Sequence, residues 1–403
     1  MIRTRSDARS QSPSVGLAAD LDHLRGAWHS LERPGSGPTE RLEWSLACAA
    51  APGSTPLSAA FILRVLRGEQ LVAVAPFAVA PVRGVPRMQL LGLTDHFEPM
   101  DLLAVDHASL RSLTELIARQ KMPVKLARLP LDSPAITQLK TALKGRAVIR
   151  VSEKDACPYI LLDATWTEPE QRLSSRRRSD LRRAQRRLHA LGEATSIITA
   201  PASGDVDALL DEAYLVEDRS WKKRTGSALS CDHAAGEFFR RYAHNLADRG
   251  VLRLGFLRVD GRPIAMQFAV RQADGFWLLK TSYDEEFSRC SPGLLLLRDS
   301  LAHAAADGAR TFEFMGVTES WITAWTRAER RTCSLYTYPL TRPGGIAAFA
   351  ADGSAMVAAE ARSHAQHAAG RMVERMRRIR RAAGSASLVV AGLAASRYVA
   401  GDD

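Results

Sequence analysis

Apolar and polar residues alternate along the chain in a pattern that predicts two copies of one α/β arrangement. Segments 63–79 and 254–270 each consist of an apolar strand, a glycine-containing turn and a second apolar strand, as in a β-hairpin. Gly68 and Gly261 occupy the turns, where a tight hairpin requires positive φ. The two glycines lie 193 residues apart, almost half of the 403-residue chain. This separation indicates an internal repeat.

Helical spacing of apolar residues predicts the elements around the two hairpins. In the first half we expect helices near 17–31, 39–50, 107–120 and 133–144, and strands at RMQLLGL, VKLARLP and YILLD. In the second half we expect helices near 171–190, 205–222, 232–249, 293–307 and 319–328, and strands at 251–258, 263–271 and 275–283. The order of these elements predicts a mixed α/β (α+β) sheet flanked by helices: helices come first, then a three-strand meander, a helix and a further strand.

The composition is that of an ordinary globular protein, with 46% hydrophobic and 25% charged residues, which excludes a mainly disordered, collagenous or membrane-embedded chain. No apolar run reaches the roughly 18 residues that span a bilayer. The first residues also lack the apolar core of a secretory signal, so we expect a cytoplasmic protein. The five cysteines are odd in number and form no C-x-x-C pair, which predicts reduced thiols and no metal site.

Positive charge is concentrated in two stretches. Lysine and arginine number 55 against 44 acidic residues, and nine of the eleven net charges come from residues 168–192 and from the tail after 340. In the first stretch a helix presents a guanidinium face, including Arg176 and Arg183, that suits phosphate recognition; a plain solvated helix is the alternative. The tail predicts a basic amphipathic helix that lies on an anionic membrane surface, on a partner or on its own protein.

Three blocks in the second half carry a resemblance to a known family. EDRSWKKRTGSAL (217–229), LKTSYDEEFSRCSPGLLLL (279–297) and FEFMGVTESWITAWT (312–326) are similar to the GNAT-type acetyltransferase family of cellulose and exopolysaccharide biosynthesis (the CelD/BcsL-like group). That group is related to the FemAB-like peptidyltransferases, whose chains carry two GNAT-type domains. The resemblance covers roughly residues 40–340. It implies tandem GNAT-like domains: a degenerate one at 1–165 and an acyltransferase domain at 166–340, followed by a basic helical tail at 341–403.

The resemblance implies acyl transfer from acetyl-CoA or another acyl-CoA, as co-substrate, to an amine or a hydroxyl. Ser291-Pro292-Gly293 follows a strand and opens a helix, and free N–H groups at a helix start suit a pyrophosphate. The cofactor-binding candidates are Arg289, Ser291, Gly293 and Leu294. The family's loop reads Arg/Gln-x-x-Gly-x-Gly/Ala, and the displaced spacing here leaves acyl-CoA and aminoacyl-tRNA open as donors.

The chemistry requires a base for the nucleophile's proton and a donor for the oxyanion. Asp284, at the end of the central strand, is the first candidate base, and Glu313, on the next strand, is the second. Tyr283 is the candidate acid for the leaving thiolate. A structural salt bridge is the alternative role for each carboxylate, and packing at a strand end is the alternative for the tyrosine.

Four further residues are candidates for substrate binding. By resemblance to the family's Trp-Lys block, Trp221 and Lys222 line the donor or acceptor site; a helix C-cap is the alternative. Lys280 lies in an apolar strand and requires a partner or a cavity, with Glu313 as the expected partner. His96, in a first-half loop, is either a base near pH 7 or a surface histidine.

The sequence therefore predicts an acyl-CoA-dependent N- or O-acyltransferase that acts on a small-molecule or nucleotide-linked sugar or amine acceptor. A role in cell-envelope or exopolysaccharide biosynthesis is implied by the resemblance alone. Two alternatives stay open: a FemAB-like transferase that uses aminoacyl-tRNA, and a non-enzymatic protein that binds an anionic polymer through residues 172–187.

Overall fold

The first half of the chain forms a helix-flanked antiparallel meander, followed by a helix and further strands. A computed structural model describes residues 21–362 apart from 22, 34, 52–59 and 97, together with residue 372. The elements of this half are α1 (Arg25–His29), a 3₁₀ turn (Pro38–Glu40), α2 (Leu42–Ala50), β1 (Ala60–Arg67), β2 (Gln70–Val82), β3 (Val85–Leu90), α3 (Leu93–His96), β4 (Leu103–Ala104), α4 (His107–Arg119), β5 (Val124–Pro130), α5 (Pro134–Ala142) and β6 (Val148–Leu161). We call this half the first lobe.

The second half repeats this order and forms the second lobe. After 3₁₀ turns at Ala164–Thr167 and Pro169–Arg172 come α6 (Ser175–His189), β7 (Ala194–Thr199), α7 (Val206–Asp218), α8 (Trp221–Arg224), α9 (His233–Ala247), β8 (Leu252–Val259), β9 (Arg262–Gln272) and β10 (Gly275–Tyr283). A 3₁₀ segment (Glu285–Cys290), α10 (Pro292–Ala306), β11 (Thr311–Glu313), a 3₁₀ turn (Ile322–Ala324) and β12 (Glu329–Tyr338) complete the lobe. The fold is thus the expected mixed α/β arrangement.

Both predicted hairpins form. Gly68 has φ +63° between β1 and β2, and Gly261 has φ +80° between β8 and β9. In the second hairpin Asp260 also has positive φ, +47°, as a two-residue turn of type I′ requires at both central positions. The local turn chemistry therefore sets the register of each meander.

The described strands form one sheet in the order β1-β2-β3-β5-β12-β6-β11-β10-β9-β8-β7, with β4 beside β2. The last strand of each lobe pairs with the other lobe: β12 lies antiparallel to β5, and β6 lies antiparallel to β11. The two exchanged strands also pair with each other. The lobes are thus joined by backbone hydrogen bonds as well as by side-chain packing.

A gap opens at the same point of each lobe. β10 and β11 are parallel and pair only where residues 275–277 meet residues 311–313. Beyond this point β10 continues to Tyr283, whereas β11 has ended. In the first lobe β3 and β5 pair in parallel at Met88 and Val124 alone. Because diverging strands leave backbone groups unpaired, such a gap is a natural place for a ligand.

The two faces of the second lobe are covered by different helices. Phe276 and Leu278 of β10 pack with Leu297 and Leu301 of α10 on one face. Trp277, which alternates with them, packs on the other face with the cluster that contains Phe238 of α9. Alternate residues of β10 therefore belong to opposite sides of the sheet.

Three elements differ from the prediction because they depend on distant partners. β7 was not predicted, since it is an edge strand with little apolar alternation. β6 has 14 residues, although only its end at YILLD has an apolar pattern, because it pairs with two strands of the second lobe. The expected helix at 319–328 is only the three-residue 3₁₀ turn Ile322–Ala324.

The tail is a separate unit from residue 346 onward, and a helix (α11) is described over 343–362. Of the predicted basic amphipathic segment, Met372 is helical and exposed, and its other residues lie outside the described residues. The five cysteines are free thiols, as expected. Within the described parts of the chain, no helix is both long enough and apolar enough to cross a bilayer.

Candidate functional site

The start of α10 is built by backbone rather than by a side-chain cap. Pro292 is the first helical residue, as the sequence predicts. Ser291 takes a left-handed conformation, with φ 47° and ψ 52°, and its side chain makes no capping hydrogen bond, although serine is a favoured residue at this position. Instead its carbonyl accepts hydrogen bonds from the N–H groups of Leu294 and Leu295, at 3.0 and 3.2 Å.

A narrow groove of about 70 Å³ lies beside this helix start, which we call the α10 groove. Its walls are Leu173, Arg177, Asp180, Leu181, Ala184, Ser291, Leu294, Leu295, Trp321, Ala324 and Trp325. The Nε1–H of Trp325 is buried and has no hydrogen-bond partner among the described residues. The groove thus combines apolar walls with one guanidinium, Arg177, and one carboxylate, Asp180.

The cofactor-binding candidates lie at or near this groove. Ser291 and Leu294 line it. A Cβ atom added at Gly293 would lie 3.4 Å from the ring of Tyr283, so the tyrosine packs against the helix start. The carbonyl of Arg289 accepts a hydrogen bond of 3.1 Å from Arg187 of α6. The structure therefore brings the loop, Tyr283 and the arginine-rich helix together.

Asp284, the first candidate base, is held by two contacts within the protein. The residue is buried, and its Oδ1 accepts a hydrogen bond of 3.1 Å from the Glu286 N–H at the start of the 3₁₀ segment. Its Oδ2 accepts one of 2.6 Å from Arg262. Because both oxygens are engaged with the protein, we assign Asp284 as a cap and an ion-pair partner.

Glu313, the second candidate, is buried and forms a forked ion pair with Arg330. Nε of Arg330 lies 3.0 Å from Oε2, and Nη2 lies 2.7 Å from Oε1. The same guanidinium lies over the ring of Tyr159, 4.1 Å from its centroid. Hydrogen bonding to Glu313 raises the pKa of Arg330. Glu313 thus holds and orients the Arg330 guanidinium.

Lys280 and Lys222 share a buried carboxylate, Glu217. Lys222 Nζ lies 2.8 Å from Glu217 Oε1 and also donates to the Thr281 carbonyl at 2.9 Å. Lys280 Nζ lies 3.9 Å from the same Oε1 and over the ring of Phe239. The prediction that Glu313 is the partner of Lys280 is therefore wrong. Burial lowers the pKa of Lys280, and Glu217 opposes that shift.

Trp221 begins α8 rather than ending a helix, because Ser220 caps the Lys222 N–H. Its side chain is 47% exposed. Arg224, at the end of this helix, pairs with Glu285. The cations of the Trp-Lys block thus hold α8 against its neighbours, and Trp221, Lys223 and Arg224 are exposed to solvent.

Arg176 and Arg183 lie on the exposed face of α6, as expected. Arg183 pairs with Asp180 one turn earlier. Among the described residues, five exposed arginines of this helix have no ion-pair partner: Arg176, Arg177, Arg182, Arg186 and Arg187. One of them, Arg177, lines the α10 groove.

His96 is neither a surface histidine nor a cavity base. It ends α3 and packs against α9, with its ring centroid 3.7 Å from that of Phe238. Trp44 lies edge-on at 5.2 Å. This histidine therefore belongs to the aromatic contact between the lobes.

A cavity of about 980 Å³ lies on the Trp277 face of the sheet; we call it the interlobe cavity. Lining residues come from both lobes and include Ser36, Gly37, Glu40, Met100, Asp132, Cys157, Tyr159, Gln272, Asp274, Trp277, Arg310, Glu313, Met315, Glu329, Arg330 and Arg331. Of these lining residues, only Glu313 was predicted from the sequence as a site residue. The sequence feature that pointed to the others was the Gly- and Pro-rich loop that holds Glu40, since functional residues concentrate on loops.

Glu40, which lines this cavity, and Asp101, which interacts with Glu40 but does not line the cavity, both have raised pKa values. Burial, and then the nearby Asp101 charge, raise the pKa of Glu40 to about 8. Burial also raises the pKa of Asp101 to about 6, although Ser133 donates to its Oδ1 at 2.8 Å. At neutral pH, Glu40 therefore holds a proton and Asp101 is mainly ionised.

The first lobe also fixes the loop at the gap of the second lobe. Glu98 Oε2 accepts a hydrogen bond of 3.1 Å from the Gly316 N–H. Arg128 donates to the Gly316 carbonyl, and its Nη2 lies 2.7 Å from Cys157 Sγ. Burial raises the pKa of Cys157, so this thiol stays protonated. The gap between β10 and β11 is thus shaped by both lobes.

Comparison with known proteins defines the class of the second lobe. Residues 175–321 match the family model described as Acetyltransferase (GNAT) domain. The fold is similar to that of FemX, with a TM-score of 0.51 and 12% identity over 83% of this chain and 98% of that one. A conserved protein of unknown function from Bacteroides thetaiotaomicron VPI-5482 gives a TM-score of 0.50 and 13% identity, over 81% and 98%. No curated protein is significantly similar in sequence.

Residues 175–321 are therefore similar to a GNAT acetyltransferase domain, and the chain shares its α/β fold with FemX. A tandem GNAT protein from the clavulanic acid biosynthesis pathway gives a TM-score of 0.45 and 13% identity, over 81% of this chain and 97% of that one. The domain match supports acyl transfer as the reaction class.

Proposed function

We propose that this protein is an acyl-CoA-dependent acyltransferase, in which the α10 groove receives the donor and the interlobe cavity receives the acceptor. The observation that carries the proposal is the position of these two sites. They lie on opposite faces of the second lobe's sheet. The interlobe cavity is lined by Gly275, Trp277, Thr311 and Glu313, at the paired ends of β10 and β11, and the α10 groove lies beside the helix start that follows β10. In this proposal the donor and the acceptor meet where the two strands separate beyond that paired segment, which converts a bimolecular reaction into one between held groups.

The residues of the α10 groove fit a phosphate-bearing thioester. The start of a 15-residue helix favours negative charge, and Arg177 adds a guanidinium beside it. The groove is narrow and mainly apolar, which suits an extended chain with amide groups. Trp325 Nε1–H supplies the hydrogen-bond donor that such a chain requires. We propose an acetyl group as the transferred acyl group, because the family match is to an acetyltransferase domain.

The acceptor, its biosynthetic context and the roles of the two domains complete the proposed function. We propose an amine or hydroxyl acceptor in cell-envelope or exopolysaccharide biosynthesis, as the resemblance to the CelD/BcsL-like group implies. We also propose that 1–165 is a degenerate GNAT-like domain that shapes the acceptor side and that 166–340 binds the donor. The supporting observation is the repeated meander with its gap in each lobe.

Thermal unfolding with acetyl-CoA, longer acyl-CoAs and free CoA tests the donor. A ligand that binds only the native state raises the midpoint, equivalent to about 2.7 kcal/mol at 100 times its Kd. Ala324→Trp fills the α10 groove and should abolish the shift, whereas Ala190→Trp, at the exposed end of α6, should retain it. The proposal is wrong if no CoA thioester moves the midpoint of the wild-type protein.

The arginine face of α6 favours aminoacyl-tRNA as a second candidate donor. A 15-residue helix is about 22 Å long, so its unpaired arginines extend beyond the groove. If tRNA binds there, the logarithm of the binding constant should fall steeply with the logarithm of salt concentration. Replacing Arg176, Arg182 and Arg186 by alanine should reduce that slope by about two to three. Equal slopes for the variant and the wild type, measured by fluorescence anisotropy, would exclude this candidate and the anionic-polymer alternative together.

A further inference from the structure

The indole of Trp277 forms a platform that joins two polar ends of the interlobe cavity. At one end, a Cβ atom added at Gly275 would lie 2.5 Å from Trp277 Nε1. At the other end, a Cβ atom added at Gly37 would lie 3.8 Å from Trp277 Cη2 and 3.8 Å from Glu40 Oε1. The indole therefore reaches from the β9–β10 turn of the second lobe to the Glu40 loop of the first lobe.

An unsatisfied amide lies at the β9–β10 end of this platform. Gln272 pairs with Gly275 in the hairpin and lines the interlobe cavity. Its side chain is only 5% exposed, yet neither its Oε1 nor its Nε2 has a hydrogen-bond partner among the described residues. Leaving such a group unpaired costs about 1–3 kcal/mol. A ligand with an amide or carbonyl group would recover that free energy.

A carboxyl group lies at the other end. Glu40 is partly buried and lines the same cavity. The Glu40 loop is held in place, because Thr39 Oγ1 donates to the Pro99 carbonyl at 2.6 Å and Tyr242 donates to the Pro38 carbonyl at 3.4 Å. Glu40 therefore has a fixed position that the second lobe faces directly.

The charges around Glu40 favour a cation. Burial and then the Asp101 charge raise the pKa of Glu40, whereas hydrogen bonds from Gly37 and Ser36 and the charge of Arg41 oppose that shift. Across the cavity, Arg330 is neutralised by Glu313 and Arg331 is paired with Glu153. The other charged lining groups are Asp132, Asp274, Arg310 and Glu329. An ammonium group beside Glu40 and Asp101 would be stabilised, whereas a neutral hydroxyl would gain no ionic interaction.

We infer that Glu40 binds the acceptor's primary amine and accepts its proton, while the acceptor's carbon chain lies on Trp277 and its amide or carbonyl group bonds to Gln272. This inference rests on the proposed function and deepens it. The acceptor class is thus an amine that carries an amide or carbonyl group about one indole length away. Glu40 would be a catalytic residue supplied by the first lobe.

The proposed step transfers one proton of the ammonium group to Glu40 and a second one to the leaving thiolate. The ionised carboxylate of Glu40 takes a proton from the ammonium group, which leaves a free amine. The amine lone pair forms an N–C bond to the acyl carbon, and the C–S bond of the acyl thioester breaks. The electron pair leaves on the thiolate, which takes up the second nitrogen proton through solvent. A base with a pKa of about 8 is well matched to this transfer near neutral pH.

Three probes test the acceptor site: 6-aminohexanamide, hexylamine without the amide, and 6-hydroxyhexanamide without the amine. Calorimetry at pH 8.5 should show that the first probe binds at least tenfold more tightly than either of the others. Gln272→Ala should remove the difference between 6-aminohexanamide and hexylamine. Equal binding of the three probes, or no binding of 6-aminohexanamide, would overturn the inference.

A variant of Glu40 tests its catalytic role. With acetyl-CoA and 6-aminohexanamide, Glu40→Gln should lower kcat by about 10²–10⁴, the usual contribution of a general base. Wild-type kcat should rise with pH toward a plateau above about 8, and the variant should lose that rise. Glu69→Gln, in the exposed β1–β2 turn, should keep the wild-type rate and profile. A Glu40→Gln variant with wild-type kcat and pH profile would refute the role.

Separate measurements test the amine site and the proposed acyl-CoA donor, so either can fail while the other holds. Acyl-CoA binding is read from the thermal midpoint, which needs no acceptor. A midpoint shift together with no binding of 6-aminohexanamide would overturn the inference and leave the donor proposal intact. Binding of 6-aminohexanamide without any acyl-CoA effect would refute the donor proposal and support the amine site.

Discussion

At the scale of single residues, the carboxylates divide into two groups by their surroundings. Asp284, Glu313 and Glu217 are buried, and each is held by cations or backbone donors. Glu40 and Asp101 have raised pKa values because burial outweighs their hydrogen bonds. The first group is paired within the protein, whereas in the second group the ionised form is disfavoured by burial.

Glu217 provides a stability prediction, because its carboxylate serves Lys222, Lys280 and the Leu229 N–H. We expect Glu217→Gln to lower the free energy of unfolding by about 3 kcal/mol, since it leaves buried cations without an anion. Glu285→Gln, which removes the exposed pair with Arg224, should cost less than about 1 kcal/mol. Urea unfolding measures both, and equal losses would contradict this role for Glu217.

Glu40 also predicts a dependence of stability on pH. Its pKa is about 8 in the folded protein against 4.5 ordinarily, so the native state binds the extra proton between these values. The free energy of unfolding should therefore fall as pH rises from 5 to 8, by on the order of 1 kcal/mol per unit. Glu40→Gln should flatten this slope in urea unfolding, because it keeps the neutral form. A variant as pH-dependent as the wild type would contradict the shifted pKa.

At the scale of elements, turns and close approaches decide where the loops run. Gly92 follows β3 with φ +85°, and a Cβ atom there would lie 2.6 Å from Cys48 Sγ and 2.8 Å from Trp44 Nε1. The chain thus passes directly against α2 before α3 begins. Gly84, in the β2–β3 turn, has φ +76° but open space around it.

Alanine substitutions at Gly84 and Gly92 distinguish the stability cost of backbone strain from the cost of steric crowding. Gly84→Ala should cost about 1–2 kcal/mol, from its left-handed conformation alone. Gly92→Ala should cost a further 1–3 kcal/mol, because the methyl group must displace α2 side chains. Chemical denaturation of both variants measures the difference. If Gly92→Ala is no worse than Gly84→Ala, α2 does not lie as close as described.

The elements also show what the sequence could predict. Both hairpins were predictable because glycine and Asp-Gly turn chemistry is local. Strand β7 and most of β6 were not, since their stability comes from pairing with distant strands. The same difference between local and distant contacts explains which parts of the candidate site could be predicted. The start of α10 was found from Ser-Pro-Gly, whereas Glu40, Trp277 and Gln272 meet only after two lobes have packed.

At the scale of the whole molecule, the lobes are interdependent because β6 and β12 are exchanged. A protein of residues 166–345 lacks β6, which pairs with both β11 and β12. We expect this fragment to show no cooperative thermal transition and the full chain to unfold in a single one. Circular dichroism measures both. A cooperative transition of the isolated fragment would show that the exchanged strand is dispensable.

The strand exchange has a consequence for synthesis on the ribosome. β5 and β6 are made early, but the strand that fits between them, β12, ends at Tyr338. At usual translation rates, the roughly 175 intervening residues take roughly 10–35 s to make. During that interval one edge of β5 and both edges of β6 lack their partners, and open edges are prone to pair with other chains. Chaperone contact with the emerging polypeptide is therefore most needed before the last strand is released.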